Sequence, residues 1–191
     1  MDIRIEKTKR SIVNAFLELR AGKPLEKIRV KELCEKAQIN KSTFYAHYRD
    51  IFDLAEQLED EVVRDYLDIP HPDYVITDVA GFVREMFQAR MSYEPLINIL
   101  FSGSRSGIFV EKIAAGIREM VLEKYPDRRE DPVFLTVLAY RIYGGYYAFQ
   151  ENRKYGEDMV IGVIGKMAES QSGQKASEEW ARMREEREQG R

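Results

Sequence analysis

Apolar residues recur at i, i+3, i+4 and i+7 along most of the chain, which is the spacing of one face of an α-helix. The pattern predicts helices over residues 3–20, 30–37, 41–47, 51–67, 77 or 78 to 92, 94–102, 107–124, 131–153 and 156–170. No stretch alternates with the period of two that marks a half-buried strand, so the sequence predicts an all-α fold.

Several helix ends carry recognisable signals. Gly22 and Pro24 are expected to end the first helix, since glycine favours a helix C-terminus and proline cannot continue one. Asn40 is predicted to cap the third helix, and Asp131–Pro132 to open a long one. Pro95 is tolerable in the first turn of a helix, which predicts a break just before residue 94.

The first three helices are predicted to share a small core. Its expected members have matching spacing on the inner faces: Ile12, Phe16, Leu19, Val30, Leu33, Ile39, Phe44 and Tyr48. That core would turn a polar face of the third helix outward, which carries Lys41, Ser42, Thr43, Tyr45, Ala46 and His47. Hydroxyl, ammonium and imidazole groups reach base edges or phosphates in a major groove, so this layout predicts a DNA-reading helix-turn-helix.

The charge distribution points the same way. Residues 1–50 carry twelve Lys and Arg against seven Asp and Glu, a net charge of +5, whereas the other 141 residues carry 18 against 26, a net charge of −8. A basic segment attached to an acidic remainder suggests an anion-binding head. Cations on short helices are, however, more often a solvated face than a binding site in an arbitrary protein.

The segment VKELCEKAQINKSTFYAHYRDIFDL resembles the DNA-binding head of the TetR family of bacterial repressors. The match covers about residues 9–58 and rests most firmly on Thr43-Phe44-Tyr45-x-His47-Tyr48. The resemblance implies DNA contacts by one set of side chains at and around the third helix: Arg29, Lys31, Lys41, Ser42, Thr43, Tyr45, Ala46, His47 and Arg49. It also implies that Phe44 and Tyr48 hold the core, and that Val30 approaches the DNA backbone.

Three positions depart from the family pattern. Arg29 stands where a capping threonine is usual, Gln38 where the turn usually has glycine, and Ile51 where a phosphate-binding lysine is common. The phosphate contact of that lysine is therefore expected to be absent or to be supplied by Arg49.

The resemblance further implies a homodimer joined through the last two long helices. Its expected interface contains Tyr143, Tyr147, Val163, Ile164 and Met167, beside small residues such as Gly162 that permit close packing. The stretch from Phe134 to Phe149 is apolar nearly all round, which is typical of a helix covered on several sides. Burial within one subunit is the alternative.

The middle helices are expected to enclose a small lipophilic or aromatic effector. The predicted lining is Phe82, Met86, Phe87, Tyr93, Phe101, Phe109, Ile113, Ile117, Leu138 and Arg141, although ordinary core is the simpler reading of any one of them. Effector binding would shift the helix at 51–67 and release a palindromic DNA operator, which describes a repressor. The alternatives are a regulator controlled by a protein or other partner, a small helical enzyme, and an activator in place of a repressor, which the sequence does not distinguish.

Composition narrows the remaining choices. No segment approaches the ~20 apolar residues of a membrane span and the N-terminus has no apolar signal region, so the sequence predicts a cytoplasmic protein. The single cysteine, Cys34, lies on an apolar stripe and is predicted to be buried. Glu59, Asp60 and Glu61 face different directions and are expected to be solvated. No catalytic residue, metal site or cofactor is predicted.

The predicted domains are a helix-turn-helix head at residues 1–50, a helical effector-binding and dimerisation domain at 51–170, and a charged tail at 171–191. In the tail, Ala176, Trp180 and Met183 share one stripe and favour a partly ordered helix.

Overall fold

The computed structural model describes residues 3–68, 78–170 and Arg182, and within these ranges the chain forms helices and no strand. The predicted all-α fold class is confirmed. The described α-helices are α1 (Ile3–Gly22), α2 (Val30–Ala37), α3 (Lys41–Tyr45), α4 (Ile51–Leu67), α5 (Val79–Leu100), α6 (Ile108–Lys124), α7 (Pro132–Asn152) and α8 (Glu157–Ser170). Short 3₁₀ turns lie at Leu25–Lys27, Gly103–Arg105, Pro126–Arg128 and Arg153–Tyr155.

Side-chain caps open several helices where the sequence places them. The Asn40 side chain accepts a hydrogen bond from the Thr43 N–H at 2.8 Å. The Asp131 carboxylate accepts from the N–H groups of Val133 and Phe134, each at 3.0 Å. Asp78 caps α5 through the Gly81 N–H at 2.7 Å, while the alternative start at Thr77 lies outside the described residues. These helix starts were therefore readable from local sequence.

Two predicted interruptions take a different form. α5 is continuous with Pro95 in its interior, so the predicted break at residue 93 is wrong. An interior proline costs about 3 kcal/mol, which the burial of Ile97 and Leu100 beyond it offsets. α1 does end at Gly22, but that glycine has no positive φ and is not a left-handed cap.

The described helices pack as two compact units, Met1–Asp65 with Tyr93–Phe109 (unit 1) and Tyr66–Ser92 with Val110–Arg191 (unit 2). The packing does not divide at the predicted boundary after residue 50, because most of α4 belongs with the head. Nor are the units continuous in sequence, since α4, α5 and α6 each run from one unit into the other. The tail at 171–191 lies outside the described residues, apart from Arg182.

Unit 1 has a core built from the inner faces of α1 to α4. Helix α1 packs against α2, and α2 contacts α3. The fully buried side chains include Ile12, Phe16, Leu33, Phe44 and Leu54. Cys34 is buried as predicted, and burial raises the pKa of its thiol. This core fixes the orientation of the short helix α3.

Unit 2 contains an apolar cluster between α5, α7 and α8. Phe87 and Phe149 stack with ring centroids 4.4 Å apart, and Val160, Ile161 and Ile164 complete the buried set. Helices α7 and α8 pack against each other. Phe149 is nevertheless the one fully buried apolar side chain of α7, so the prediction that this helix is covered on several sides is wrong for a single chain.

None of the described helices combines the length and the apolar character that a membrane span needs.

Candidate nucleic-acid interface

The turn between α2 and α3 is built on a left-handed residue. Gln38 has φ of 55°, and it is the position where the resemblance expects glycine. The Ile39 N–H donates to the Cys34 carbonyl at 3.0 Å and the Gln38 N–H to the Glu35 carbonyl, which is the hydrogen-bond pattern of a Schellman motif. The glutamine therefore adopts the backbone conformation that glycine would adopt with less strain.

Two aromatic side chains hold α3 in place. Phe44 is fully buried, and its ring centroid lies 5.8 Å from that of Tyr48, which is buried as well. Since α3 is a short helix, burying Phe44 turns the opposite face outward. Lys41, Ser42, Tyr45 and Ala46 are exposed, Tyr45 by 56% of its surface, while Thr43 and His47 are half-buried.

The two hydroxyl groups of α3 are engaged in capping. Ser42 Oγ and Thr43 Oγ1 each donate to Asn40 Oδ1 at 2.7 Å, beside the Thr43 N–H. Their donor hydrogens are committed, whereas their oxygen lone pairs remain available as acceptors. In this arrangement both hydroxyls are suited to accept from a base amino group rather than to donate to a phosphate.

The cations around α3 differ in how they are paired. Lys41 forms no ion pair within the described residues, and Arg29 is exposed at the start of α2. Lys31 lies 3.8 Å from the Glu35 carboxylate, a loose and exposed contact. Arg49 is held by Asp53 through both its backbone N–H, at 2.8 Å, and its guanidinium, at 3.1 Å. Lys41 is therefore the cation best placed to meet a phosphate.

The pairing of Arg49 bears on its expected role. Its hydrogen bond to Asp53 raises the pKa of the guanidinium, and the same carboxylate accepts from the Arg49 backbone, which lowers the pKa of Asp53. Ile51, which stands where the resemblance expects a lysine, is buried and contributes to the core of unit 1. The guanidinium keeps its other N–H donors and is 82% exposed, so Arg49 could contact a phosphate while it stays bonded to Asp53.

A buried ionic cluster in unit 1 was not expected from the sequence. Glu59 is fully buried and pairs with Arg105, so the prediction that it is solvated is wrong. Arg20 is also buried and donates to the carbonyls of Lys23 and Ser102. The Arg105–Glu59 and Arg20–Ser102 contacts join residues 46 and 82 positions apart that share no local pattern, so no sequence signal would have joined them.

The predicted effector-binding residues do not form one set in the structure. Tyr93, Phe101 and Phe109 belong to unit 1, where Phe101 and Phe109 are buried with ring centroids 5.1 Å apart. The others belong to unit 2, in which Phe82, Met86, Phe87, Ile113 and Ile117 are buried and Leu138 and Arg141 are half-buried. Burial of this kind is what the ordinary-core alternative predicts as well, so their assignment to an effector site stays a prediction.

Arg141 differs from its apolar neighbours. Its Nε is buried and has no hydrogen-bond partner among the described residues, and desolvation lowers the pKa of its guanidinium. Two cavities, of about 510 Å³ and about 320 Å³, lie elsewhere, in unit 1. The first is lined by α1, α4 and Tyr48, and the second by α1, α2 and Gln38. No predicted effector residue lines either cavity.

The predicted dimer residues separate into two groups. Tyr143, Tyr147, Val163 and Met167 are exposed on α7 and α8, Val163 by 49% and Met167 by 52%. Ile164 is 8% exposed and packs in the cluster with Phe149, so little of its surface is left for a second chain to cover. The exposed surface continues with Tyr140 and Met159.

Comparisons of the chain with models of known families, with curated proteins and with solved structures gave no match.

Proposed function

We propose that this protein is a sequence-specific, DNA-binding transcriptional regulator that acts as a homodimer, with α3 as the helix that reads the DNA. The observation that carries the proposal is the geometry of α3. Buried Phe44 and Tyr48 anchor one side, and exposed Lys41, Ser42 and Tyr45 form the other. A short, rigidly anchored helix with a polar outer face suits a major groove.

Each side chain on that face has a role that its surroundings favour. Lys41, with no ion pair among the described residues, would neutralise a phosphate. The exposed phenol of Tyr45 would donate to a phosphate oxygen, and the Ser42 and Thr43 oxygens would accept from base amino groups. The net charge of +5 over residues 1–50 would attract the duplex.

The exposed apolar surface of α7 and α8 supports the dimer. Tyr140, Tyr143 and Tyr147 follow one side of α7 at helical spacing, and Met159, Val163 and Met167 follow one side of α8 at intervals of four residues. A continuous apolar surface of this kind is rare on a monomer. A second copy would cover it through a two-fold axis, and two heads would then read two half-sites.

An effector-released repressor is the form of regulation that we infer. The apolar interior of unit 2, from α5 and α6, would accommodate a lipophilic or aromatic molecule, and the orphaned Nε of Arg141 would offer it a polar contact. Effector binding would favour a conformation in which the two heads no longer match successive grooves. Such a regulator would work in the cytoplasm, where the DNA is.

Selection of bound fragments from random duplex DNA tests the proposal. The full chain should enrich palindromes whose half-sites are centred about 10 base pairs, or a multiple of that, apart. The Lys41→Ala/Tyr45→Phe double variant serves as the control, because both side chains are exposed and their loss leaves the core intact. Equal enrichment by the two proteins, or none by the full chain, would refute the proposal.

A further inference from the structure

The turn at residues 102–105, between α5 and α6, is tied to three separate elements of unit 1. Arg105 reaches α4, where its Nε donates to Glu59 Oε1 at 2.8 Å and its Nη2 to the other carboxylate oxygen. The Ser102 carbonyl accepts from Arg20 Nη2, at the end of α1, at 2.7 Å. The Ser104 hydroxyl donates to the Glu26 carboxylate in the Leu25–Lys27 turn.

The contact between Arg105 and Glu59 is the least replaceable of the three. Glu59 has no exposed surface, and a buried carboxylate is strongly unfavourable unless a cation and hydrogen bonds satisfy both of its oxygens. The guanidinium of Arg105 satisfies both oxygens through its bidentate contact, and the hydrogen bond to Glu59 raises the pKa of Arg105. Removing Arg105 would leave Glu59 buried without this partner.

Arg20 secures the other side of the turn. Arg20 is 5% exposed, and its guanidinium donates to the Lys23 carbonyl at 3.0 Å as well as to the Ser102 carbonyl. Arg20 therefore joins the C-terminus of α1 to the 102–105 turn, and α1 packs against α2, which contacts α3. Glu59 lies on α4, the helix that follows α3 in the chain. The turn thus holds the elements on both sides of the DNA-reading helix.

We propose that the 102–105 turn is a clasp that positions α3, and that Arg105 is its principal positioning residue. The inference rests on the proposed function, because it concerns the helix to which that function is assigned. The DNA-binding unit is then discontinuous in sequence: residues 1–50 are insufficient, and a turn some fifty residues beyond the head completes it.

The test compares Arg105→Gln with Arg118→Gln, an exposed arginine on α6 that serves as the matched control. Hydrogen–deuterium exchange of the full chain without DNA should show faster exchange in α1 to α4 for Arg105→Gln, by about tenfold, and no change for the control. Affinity for the selected duplex should fall about tenfold in the same variant, with the dimer mass unchanged. Arg105→Lys keeps the charge but not the bidentate geometry, so its exchange rate and its duplex affinity should lie between those of the wild type and those of Arg105→Gln.

A further variant separates loss of the clasp from general misfolding. Arg105→Gln/Glu59→Gln removes the buried charge together with its partner, so its exchange should return towards that of the wild type. Unchanged exchange in Arg105→Gln would overturn the clasp. Faster exchange with unchanged duplex affinity would overturn its positioning role. If the wild type selects no duplex, the proposed function fails, while the exchange data still decide whether the clasp exists.

Discussion

Unit 1 and the helix pair α7–α8 differ in how far their apolar side chains are buried. In unit 1 the aromatic anchors of the head, such as Phe16 and Phe44, are fully covered by their own chain, and charged groups as well are drawn into the interior. On α7 and α8, tyrosine, valine and methionine side chains lie exposed along continuous helical faces. One region is complete within a single chain, and the other presents a surface that a second chain would complete.

The difference shows that hydropathy alone does not reveal what covers a helix. Helix α7 is among the most apolar in the chain, yet most of its side chains are half-buried or exposed. Helix α4 is rich in charge, yet it holds a carboxylate with no exposed surface. Burial depends on which elements meet in three dimensions, and the buried carboxylate of Glu59 is covered by elements that are distant in sequence.

The largest effect is expected from Phe44→Ala. Phe44 is fully buried under α3, so its removal should lower the free energy of unfolding by about 3–5 kcal/mol. Urea denaturation measures this change, and Phe52→Ala, at a side chain that is 51% exposed, is the control. Similar losses of unfolding free energy in both variants would contradict the view that the buried side chain of Phe44 stabilises unit 1.

Val163→Lys should separate the proposed dimer. A lysine placed in the apolar surface of α8 would bury a charge without a partner, and dimerisation should weaken by about a hundredfold or more. Light scattering should give a mass near 22.3 kDa in place of twice that value. Glu169→Lys, which places a lysine at an exposed position elsewhere on α8, is the control and should leave the dimer mass unchanged. A wild-type protein that is monomeric at micromolar concentration would contradict the proposal that a second chain covers α7 and α8.

Lys41→Ala should weaken binding of a selected duplex by about tenfold at moderate salt, and reduce the slope of log affinity against log salt by about 1. Both effects follow if Lys41 neutralises one phosphate. Fluorescence anisotropy at several salt concentrations measures them, with Arg84→Ala, an exposed cation on α5, as the control. A loss of affinity without a change of slope would assign Lys41 a role other than phosphate contact.

The smallest effects concern helix caps. Asp131→Ala in unit 2 and Asn40→Ala in unit 1 should each cost about 1 kcal/mol at pH 7. Hydrogen bonding to the Phe134 N–H lowers the pKa of Asp131, so its contribution is present above the ordinary carboxyl pKa of about 3.9 and is lost as the pH falls through the lower, folded value. The effect of Asp131→Ala should therefore shrink in acid, whereas Asn40→Ala should not change. Thermal denaturation from pH 7 to pH 3 distinguishes them.

Much of the fold was predictable because its signals are local. The bounds of α2 and α4 agree with the hydrophobic spacing, and Asn40 and Asp131 cap the predicted helices. The exposed face of α3 also follows from the spacing around Phe44. The break predicted before Pro95 is wrong because the burial of later residues, a tertiary effect, outweighs the local preference of proline for a helix end.

The rest depended on contacts that no local pattern encodes. Arg105 and Glu59 are 46 residues apart, so their pairing appears only in three dimensions. Ile164 was assigned to the dimer surface because α8 has apolar residues on two sides, and spacing alone does not tell which side packs on Phe149. The role of Gln38 as a left-handed residue was hidden because glycine, the usual signal, is missing there.

The position of Arg105 also has a consequence for how the protein is made. Glu59 leaves the ribosome 46 residues before the arginine that neutralises it, which at about 5–20 residues per second is an interval of seconds. During that interval the newly synthesised part of unit 1 contains a carboxylate whose burial has no compensation. Completion of unit 1 therefore waits for the downstream turn, and a chain truncated before residue 105 would carry an unfinished unit 1 into the cell.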